Sequence, residues 1–331
     1  MKAILNDLFE HKTLSRQESR EALVNIAKGK YNNSQVAAFL AVYLMRSVSV
    51  QELSGFREAM LELCMPVDFD GVETIDIVGT GGDNKNTFNI STLSCFVVAG
   101  AGIKVAKHGN YGVSSVSGSS NVLERCGVKF TNDEDILKRQ LEHAGICFLH
   151  APLFHPAMKS VAPVRKELGV RTFFNLLGPI VNPSRPKYMF LGVYNLEIMR
   201  TYNYLLQQTT HDYMLIHGLD GYDEISLTSD SKMMCRSGEH IYHAEELPFE
   251  KVLLSEISGG DSPAEAAGIF MKILSGEGTT AQKNVVIANA GFAIHCSRPG
   301  TSLPDCFTLA RESLDSGRAL NTFNKLITHN S

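Results

Sequence analysis

Two loop segments combine glycine with hydroxyl and amide side chains, a composition suited to binding phosphate. The first is GTGGD at residues 79–83, directly after the β-branched run that ends at Val78, and the polar sequence TFNIST follows at 87–92. The second is KHGNYGVSSVSGS at 107–119. Glycine lets the backbone approach a ligand closely, and a helix that begins near Asn89 presents unpaired N–H groups to an anion. Glycine clusters also occur as simple turns, but the combination predicts a site for a phosphate-bearing ligand.

Adjacent carboxylates at Asp223 and Glu224 follow a predicted strand at residues 213–217. Oxygen ligands suit Mg²⁺, which keeps several waters and is often shared with substrate phosphates. The alternative is a solvated acidic turn, because Asp and Glu favour exposed loops. The pair by itself leaves both interpretations open.

Three further basic groups are candidates for contacts with an anionic substrate. Arginine grips a carboxylate with two parallel hydrogen bonds, and the segment PVRKELGVR at 163–171 contains Arg165 and Arg171. The alternative for each is a charge on a helix surface. Lys107 leaves a predicted strand end, where its charge would neutralise phosphate. For the neighbouring His108 we expect packing and hydrogen bonding rather than general acid or base catalysis.

The elements that must position these residues follow from the apolar pattern. Residues 1–65 have helical periodicity throughout, with capping boxes at Ser15–Glu18 and Ser49–Glu52 and a helix at 36–45. After a polar connection at 66–71, strands and helices alternate. The predicted strands are 75–78, 103–106, 128–130, 146–149, 188–193 and 213–217. The predicted helices include 133–143, 197–207, 263–274, 281–295 and 304–316. This order predicts an α/β fold with a mainly parallel central sheet flanked by helices, preceded by a small all-helical domain.

Composition narrows the classes of partner. The 331 residues are 44% hydrophobic, with a net charge of −4 and a pI near 6.3, so neither nucleic acid nor an anionic membrane is an expected partner. The seven cysteines have no CxxC or metal-ligand spacing, which is typical of reduced core thiols. Asp7 and Glu10 lie where a signal peptide would be apolar. We therefore expect a cytoplasmic protein.

The motifs GTGGD, TFNIST, KHGN and SGSSNVLE, in this order, resemble those of the anthranilate phosphoribosyltransferases. The likeness continues through PVRKELGVRTFFNLLGP and over essentially the whole chain. It implies transfer of the phosphoribosyl group of 5-phosphoribosyl 1-pyrophosphate (PRPP) to the amino group of anthranilate, with release of pyrophosphate, in tryptophan biosynthesis. It also implies a homodimer formed through the helical domain. The implied domains are a helical one at 1–70, joined by helices from about 155–185, and a PRPP-binding α/β domain at 71–331.

The resemblance also assigns roles to individual positions. Those implied to hold PRPP are Gly79, Gly82, Asp83, Thr87, Asn89, Ile90, Ser91, Thr92, Lys107, His108, Gly109, Asn110, Tyr111, Gly112, Val113, Ser114, Ser115 and Ser119. Those implied to contact anthranilate are Gly79, Asn110 and Arg165, whereas Arg171 is expected to be structural. Those implied to hold Mg²⁺ are Ser91, Asp223 and Glu224. The second loop departs from the family pattern, which has Arg, Lys and Asp where this chain has Tyr111, Val116 and Asn121.

Two other functions fit parts of the pattern. A pyrimidine nucleoside phosphorylase would share the helical domain, the phosphate loop and ribosyl transfer, but we would expect a further C-terminal domain. A non-catalytic paralogue that binds nucleic acid is disfavoured by the acidic balance and by the retained Asp-Glu pair.

Overall fold

The computed structural model describes residues 1–112 and 116–329. Its chain divides into two compact units, one of residues 1–67 and 151–185 and the other of residues 68–150 and 186–331. The helices, in chain order, are α1 (Lys2–Phe9), α2 (Arg16–Ala27), α3 (Asn33–Met45), α4 (Val50–Leu63), α5 (Ile90–Gly100), α6 (Ser119–Arg125), α7 (Glu134–His143), α8 (Ala151–Phe154), α9 (Ala162–Leu168), α10 (Phe174–Leu177), α11 (Leu196–Leu206), α12 (Pro263–Leu274), α13 (Thr280–Ser297), α14 (Leu303–Asp315) and α15 (Arg318–Thr328). The strands are β1 (Ile75–Gly79), β2 (Val105–Gly109), β3 (Ile146–His150), β4 (Tyr188–Gly192), β5 (Asp212–Gly218), β6 (Ser231–Cys235) and β7 (Gly238–Tyr242).

The first unit is helical. Its helices α2 and α4 begin at the predicted capping boxes of Ser15 and Ser49, and a third box, at Asn32 with Gln35, starts α3 three residues before the predicted start at residue 36. Each box satisfies N–H groups that the first turn of a helix leaves unpaired. The core is aromatic: the rings of Phe56 and Phe173 stack with centroids 4.3 Å apart. Residues 151–185 therefore contribute to the same core as the N-terminal helices.

The second unit is built on one seven-stranded sheet in the order β3-β2-β1-β4-β5-β6-β7. Strands β1 to β5 are parallel to one another. Strand β6 pairs antiparallel with β5, and β7 pairs antiparallel with β6. Helices α5, α13, α14 and α15 pack together and cover the sheet, while α7 packs on β3 and α11 on β5. The predicted fold class, a helical N-terminal domain with a mainly parallel α/β domain, is confirmed.

Strand order reverses at β1. The chain proceeds from β1 through β2 to β3 on one side, and then returns to place β4 on the other side of β1. In open α/β sheets, ligands bind outside the carboxyl ends of the strands at such a reversal. The ends of β1 and β4 are therefore the expected position of the site.

Three predictions of elements were wrong or incomplete. The described structure has no strand at residues 128–130, where only Val128 is fully buried and no neighbouring strand is available. The β6–β7 hairpin was missed because β7, at the sheet edge, is largely exposed and lacks an apolar pattern. Helix α15 was also missed, although its buried Ala319, Phe323 and Leu326 have helical spacing. None of the described helices is long and apolar enough to cross a membrane.

Candidate functional site

The site begins where β1 and β4 end side by side. Gly79 and Gly192 are register partners in the last rung of this ladder. A Cβ atom on Gly79 would lie 2.3 Å from Oδ2 of Asp223, and one on Gly192 would lie 1.6 Å from the carbonyl oxygen of Asp223. Two adjacent glycines thus create the space through which the segment after β5 crosses the end of β1.

The GTGGD loop folds around the Asp223 carboxylate. Gly81 and Gly82 have φ angles of 61° and 86°, a left-handed conformation that glycine adopts without strain. The Gly81 N–H donates a hydrogen bond of 2.7 Å to Asp223 Oδ2. The side chain of Asp83 accepts from the Lys85 N–H at 3.0 Å, and its charge is close enough to Asp223 to raise the pKa of that carboxyl group. The loop and the acidic segment therefore form one unit.

The N-terminus of α5 faces the second acidic residue. The Ser91 N–H donates to Glu224 Oε1 at 3.2 Å, and the Thr87 hydroxyl donates to Glu224 Oε2 at 3.3 Å. A carboxylate accepting from the first turn of a helix also interacts favourably with the helix dipole. Ile90 and Thr92, in the same turn, are buried, with exposures of 0% and 1%, so their side chains belong to the core.

The three carboxyl groups are held at an electrostatic cost. Burial, followed by the charge of Asp83, raises the pKa of Asp223 to about 7. Burial, followed by the charges of Asp223 and Asp83, raises the pKa of Glu224 well above its usual range. Burial also raises the pKa of Asp83. Carboxylates that repel one another in a partly buried cluster would be stabilised by a cation.

The donor set fits Mg²⁺ better than a metal held in an all-protein cage. In the part of the chain that the structure describes, no group of three or more His, Cys, Asp or Glu side chains forms a ready-made metal site. Mg²⁺ typically takes one or two carboxylates and completes its octahedron with water and phosphate oxygens. Asp223 and Glu224, on adjacent positions of one loop, match that requirement. The alternative of a solvated acidic turn is wrong for Asp223, which is 8% exposed.

Of the two basic residues at the end of β2, Lys107 lies differently from our expectation, whereas His108 is packed as expected. The Lys107 side chain is 2% exposed, and Nζ donates to the carbonyl of Ile77 in β1 at 2.6 Å. We predicted that the strand ends at residue 106 and that Lys107 follows it with its charge directed towards phosphate, whereas Lys107 lies within β2 and its Nζ binds a main-chain carbonyl. His108 is 3% exposed, and its main-chain N–H donates to Asp76 Oδ1 at 3.1 Å.

These two bonds have a structural cause. The ladder between β1 and β2 has a single register pair, Ile75 with Val105, so the strands separate towards their carboxyl ends. The side chains of Asp76 and Lys107 fill the gap and bind main-chain groups that a longer ladder would have paired.

The second loop begins at Gly109, the last residue of β2, where a Cβ atom would lie 2.4 Å from the Ser119 hydroxyl. The carbonyl of Asn110 accepts from the Ser119 hydroxyl at 3.3 Å and from the Ser120 N–H at 3.1 Å. Gly112 follows, and its N–H donates to the side chain of Asn121. Val113, Ser114 and Ser115, all predicted to hold PRPP, lie outside the described residues.

Tyr111 has identifiable partners in place of the arginine of the family pattern. Its hydroxyl donates to Glu124 at 3.2 Å, and its ring meets the edge of His150 with centroids 4.9 Å apart. The His150 ring in turn stacks on Phe130. The two loops are also linked, because Asn89 Nδ2 donates to the carbonyl of Ser117 at 3.0 Å. The structure thus brings the GTGGD loop, the start of α5, the acidic pair and the second loop together.

Arg165 lies in the helical unit, on α9. Its guanidinium donates to Asn175 Oδ1 at 3.3 Å and lies 5.2 Å from the ring centroid of Phe174. Burial lowers its pKa below the ordinary value for arginine. A half-buried guanidinium held by an amide and an aromatic face is suited to binding a planar carboxylate. Its assignment to anthranilate stays a prediction.

Sequence reasoning missed several residues that shape the site. Gly81 belongs to the predicted GTGGD loop but was given no contact of its own, and Gly192, one residue before the end of the strand predicted at 188–193, was given no role. Asn289 in α13 was missed altogether. Its amide accepts from the Ile225 N–H at 3.1 Å and donates to the Ile225 carbonyl at 2.8 Å, which fixes the backbone directly after Glu224. No local signal marks this contact between residues 64 positions apart.

Two known protein families together match most of the chain. The family described as "Glycosyl transferase family, a/b domain" matches residues 71–320, and the one described as "Glycosyl transferase family, helical bundle domain" matches residues 2–64. The anthranilate phosphoribosyltransferase of Flavobacterium psychrophilum is 57% identical over 326 residues, 98% of each chain. That of Bacteroides thetaiotaomicron is 56% identical over 331 residues, 100% of each chain.

Solved structures of anthranilate phosphoribosyltransferases are also similar to this chain over nearly its whole length. The anthranilate phosphoribosyltransferase of Thermus thermophilus matches with a TM-score of 0.90 at 33% identity, covering 98% of each chain. That of Saccharomyces cerevisiae, in complex with PRPP and Mg, matches with a TM-score of 0.90 at 26% identity, covering 98% of this chain and 96% of the other.

Proposed function

The chain belongs to the anthranilate phosphoribosyltransferase family, and we propose how its own residues carry out the family's reaction. The enzyme transfers the phosphoribosyl group of PRPP to the amino group of anthranilate and releases pyrophosphate, in tryptophan biosynthesis. The main prediction from sequence is thereby confirmed over the phosphorylase and nucleic-acid-binding alternatives. The residues assigned to each ligand and the metal are part of the proposal.

PRPP is bound, in this proposal, by the GTGGD loop, the start of α5 and the second loop. The observation that carries the assignment is the position of Asp223, which crosses the ends of β1 and β4 between two glycines and binds the Gly81 N–H. The left-handed backbone at Gly81 and Gly82 turns the loop sharply at the strand end, and main-chain N–H groups in such a turn are suited to phosphate oxygens.

Asp223 and Glu224, with Ser91, would hold Mg²⁺. The metal ion, when bound, would stabilise negative charge on the pyrophosphate leaving group. Support comes from the raised pKa values of both carboxyl groups, caused first by burial, and from the presence of Mg with PRPP in the yeast relative. The same residues fix the loop through the Gly81 and Ser91 N–H groups, so the metal site and the phosphate loop share their supports.

The chemistry needs alignment more than an activated nucleophile. The bond from ribose C1 to the pyrophosphate oxygen breaks, and the anthranilate nitrogen forms the new bond to C1 and then loses a proton to water. The aniline nitrogen is neutral, so its lone pair can attack C1 directly. No covalent intermediate on the protein is therefore needed. Arg165 would hold the anthranilate carboxylate, and Gly79 and Asn110 would contact the same substrate. Backbone donors at the strand ends would stabilise the departing pyrophosphate.

The domain and assembly predictions also belong to this proposal. Residues 1–70, joined by 155–185, would form the helical domain, and residues 71–331 the PRPP-binding domain. A homodimer through the helical domain is supported by the exposure of Phe9, Leu44 and Met45, at 60%, 47% and 88%. Light scattering behind a sizing column tests the dimer. A cytoplasmic location stays a prediction.

Calorimetric titration with PRPP tests the ligand assignment without turnover. We expect wild-type protein to bind PRPP in the presence of Mg²⁺ and to bind at least tenfold more weakly in EDTA. Glu224→Gln should lose most of this metal dependence while keeping an acceptor for the Ser91 N–H. Metal-independent binding of equal strength by both proteins would contradict the assignment.

A further inference from the structure

The acidic segment lies in an irregular part of the chain. Residues 219–230, which connect β5 to β6 and contain Glu224, form neither helix nor strand. Ile225 is 2% exposed, so the backbone directly after Glu224 is shielded from water. A buried main-chain N–H or carbonyl that lacks a partner costs about as much free energy as a lost hydrogen bond. The backbone at Ile225 therefore depends on a partner from elsewhere in the fold.

That partner is the side chain of Asn289 in α13, which is 2% exposed. Its amide oxygen accepts from the Ile225 N–H at 3.1 Å, and its amide nitrogen donates to the Ile225 carbonyl at 2.8 Å. The same nitrogen donates to the Val285 carbonyl, one turn earlier in α13, at 2.9 Å. An amide carries an acceptor and two donors, so one side chain pairs both main-chain groups of Ile225 and is itself held against its helix.

A different helix fixes the carboxylate of Glu224. The Ser91 N–H, in the first turn of α5, and the Thr87 hydroxyl both donate to it. Helices α5 and α13 pack together, and the buried Ser94 hydroxyl of α5 lies 3.4 Å from the Val286 carbonyl oxygen of α13. Thus α5 holds the carboxylate, α13 holds the backbone behind it, and the two helices contact each other.

We propose that Asn289 is a positioning residue for metal-dependent binding of PRPP. It fixes the backbone of Ile225, so that the Glu224 carboxylate stays at the start of α5, where it would hold Mg²⁺. This role rests on the proposed assignment of Glu224 to the metal. The amide of Asn289 is occupied by main-chain partners, so Asn289 acts through the Ile225 backbone rather than through contact with the substrate.

Three variants separate this role from simple stabilisation. Asn289→Leu removes the acceptor and the donors at similar volume. Asn289→Ala removes the same groups, but it leaves room for water at Ile225 and suits a helix better, so it keeps the test open if the leucine variant does not fold. Ser313→Ala is the matched control. Ser313, buried in α14, also hydrogen-bonds the main chain of a distant element, because its hydroxyl donates to the Val97 carbonyl of α5 at 2.7 Å.

Calorimetric titration with PRPP, in Mg²⁺ and in EDTA, provides the test. We expect both Asn289 variants to raise the Kd for PRPP at least tenfold in Mg²⁺ and less than threefold in EDTA, because binding without metal does not use the position of Glu224. Ser313→Ala should stay within twofold of wild type in both solutions, even if its Tm falls as far as that of Asn289→Ala. A general loss of stability would weaken binding equally with and without the metal.

A double-mutant cycle with Glu224→Gln adds a second readout. In the Glu224→Gln background, Asn289→Ala should change the Kd for PRPP in Mg²⁺ less than threefold, because the carboxylate that Asn289 positions is already absent. A purely structural role would produce the same loss in both backgrounds.

Several results would overturn the proposal. They are a PRPP Kd within threefold of wild type for the Asn289 variants in Mg²⁺, equal losses in Mg²⁺ and in EDTA, or equal losses with and without the Glu224 carboxylate. The wild-type titration keeps the two proposals distinct. If wild-type protein binds PRPP equally well in Mg²⁺ and in EDTA, the metal assignment fails and the role of Asn289 fails with it. Metal-dependent binding by wild type with unaffected Asn289 variants removes only the role of Asn289.

Discussion

The carbonyl oxygen of Asp223 occupies the place that a side chain on Gly192 would need, 1.6 Å from the position of its Cβ atom. On the neighbouring strand, Gly79 leaves room for Oδ2 of the same aspartate. The two glycines are register partners, so their missing side chains form one continuous gap across β1 and β4. The position of the acidic segment therefore depends on residues that contribute no functional group.

Gly192→Ala tests this dependence. The added methyl would push the Asp223 backbone away from the ends of β1 and β4, and a displacement of this kind costs about 100-fold in catalysis. We expect kcat/KM to fall by about that factor, with a lower Tm. Gly268→Ala in α12 is the control, because a Cβ there meets no described atom within 4 Å, and it should keep full activity. Normal kinetics of Gly192→Ala would show that the acidic segment tolerates the shift.

Asp223→Asn separates the metal role from a structural one. Replacing both Asp223 and Glu224 by alanine would leave the Gly81 and Ser91 N–H groups unpaired, so amide replacement is the cleaner change. Asp223 is the buried member of a cluster of mutually repelling carboxylates, so removing its charge should raise the Tm of metal-free protein while abolishing turnover. Added Mg²⁺ with PRPP should raise the Tm of wild type but not of the variant. A variant that is destabilised without metal, or that remains active, would contradict the assignment.

Arg165→Ala should raise the KM for anthranilate far more than that for PRPP. A charge-assisted hydrogen bond to a buried group contributes about 1.5–3 kcal/mol, which corresponds to roughly 10- to 100-fold. Arg165→Lys should recover only part of this loss, because lysine lacks the planar fork. Lys166→Ala, the exposed neighbour on α9, serves as the control and should resemble wild type. Equal effects of Arg165→Ala on both substrates would assign this residue another role.

Stability of the helical unit should depend on the buried Glu52. Its carboxylate accepts from Arg46 at 2.6 Å and from the N–H groups of Leu14 and Ser49 at 3.1 and 3.0 Å. Burial alone would raise the pKa of Glu52, but these hydrogen bonds outweigh it and hold the pKa below the usual value. A depressed carboxyl pKa means that the stabilisation is fully present above about pH 4.3 and is lost as the pH falls through the lower, folded-state value.

Glu52→Gln should therefore lower the free energy of unfolding by about 3 kcal/mol at pH 7. The difference from wild type should shrink steadily below about pH 4. Glu58, in the same helix as Glu52, forms a more exposed ion pair with Arg16 of α2. Glu58→Gln should therefore lower the free energy of unfolding by less than about 1 kcal/mol at any pH. Urea denaturation at several pH values measures both, and a pH-independent difference for Glu52→Gln would be inconsistent with an ionised carboxylate.

Much of the framework was predictable because it is encoded locally. Helix α12 has the predicted bounds, since Ser262 caps it and Pro263 begins it. Interior strands such as β5 are nearly continuous apolar runs. The exposed strand β7 has no such pattern. It pairs antiparallel with β6, which directly precedes it in the chain.

The direction of a side chain in a fully buried strand could not be predicted. Lys107 lies in a strand whose first four residues are buried, so the sequence gives no outward face, and the separation of β1 from β2 decides where its Nζ lies. Long-range polar contacts were equally inaccessible. Asn121 and Asn289 resemble ordinary helix residues in sequence, and only the folded structure brings them to the backbone segments that they hold.

Loss of anthranilate fluorescence on mixing with PRPP tests the central claim most directly. Purified protein with Mg²⁺ should consume anthranilate only when PRPP is present, releasing one pyrophosphate for each anthranilate consumed. EDTA or the Asp223→Asn substitution should stop the reaction. A folded, metal-supplied wild-type protein that leaves anthranilate unchanged, or that consumes it without releasing pyrophosphate, would contradict the account.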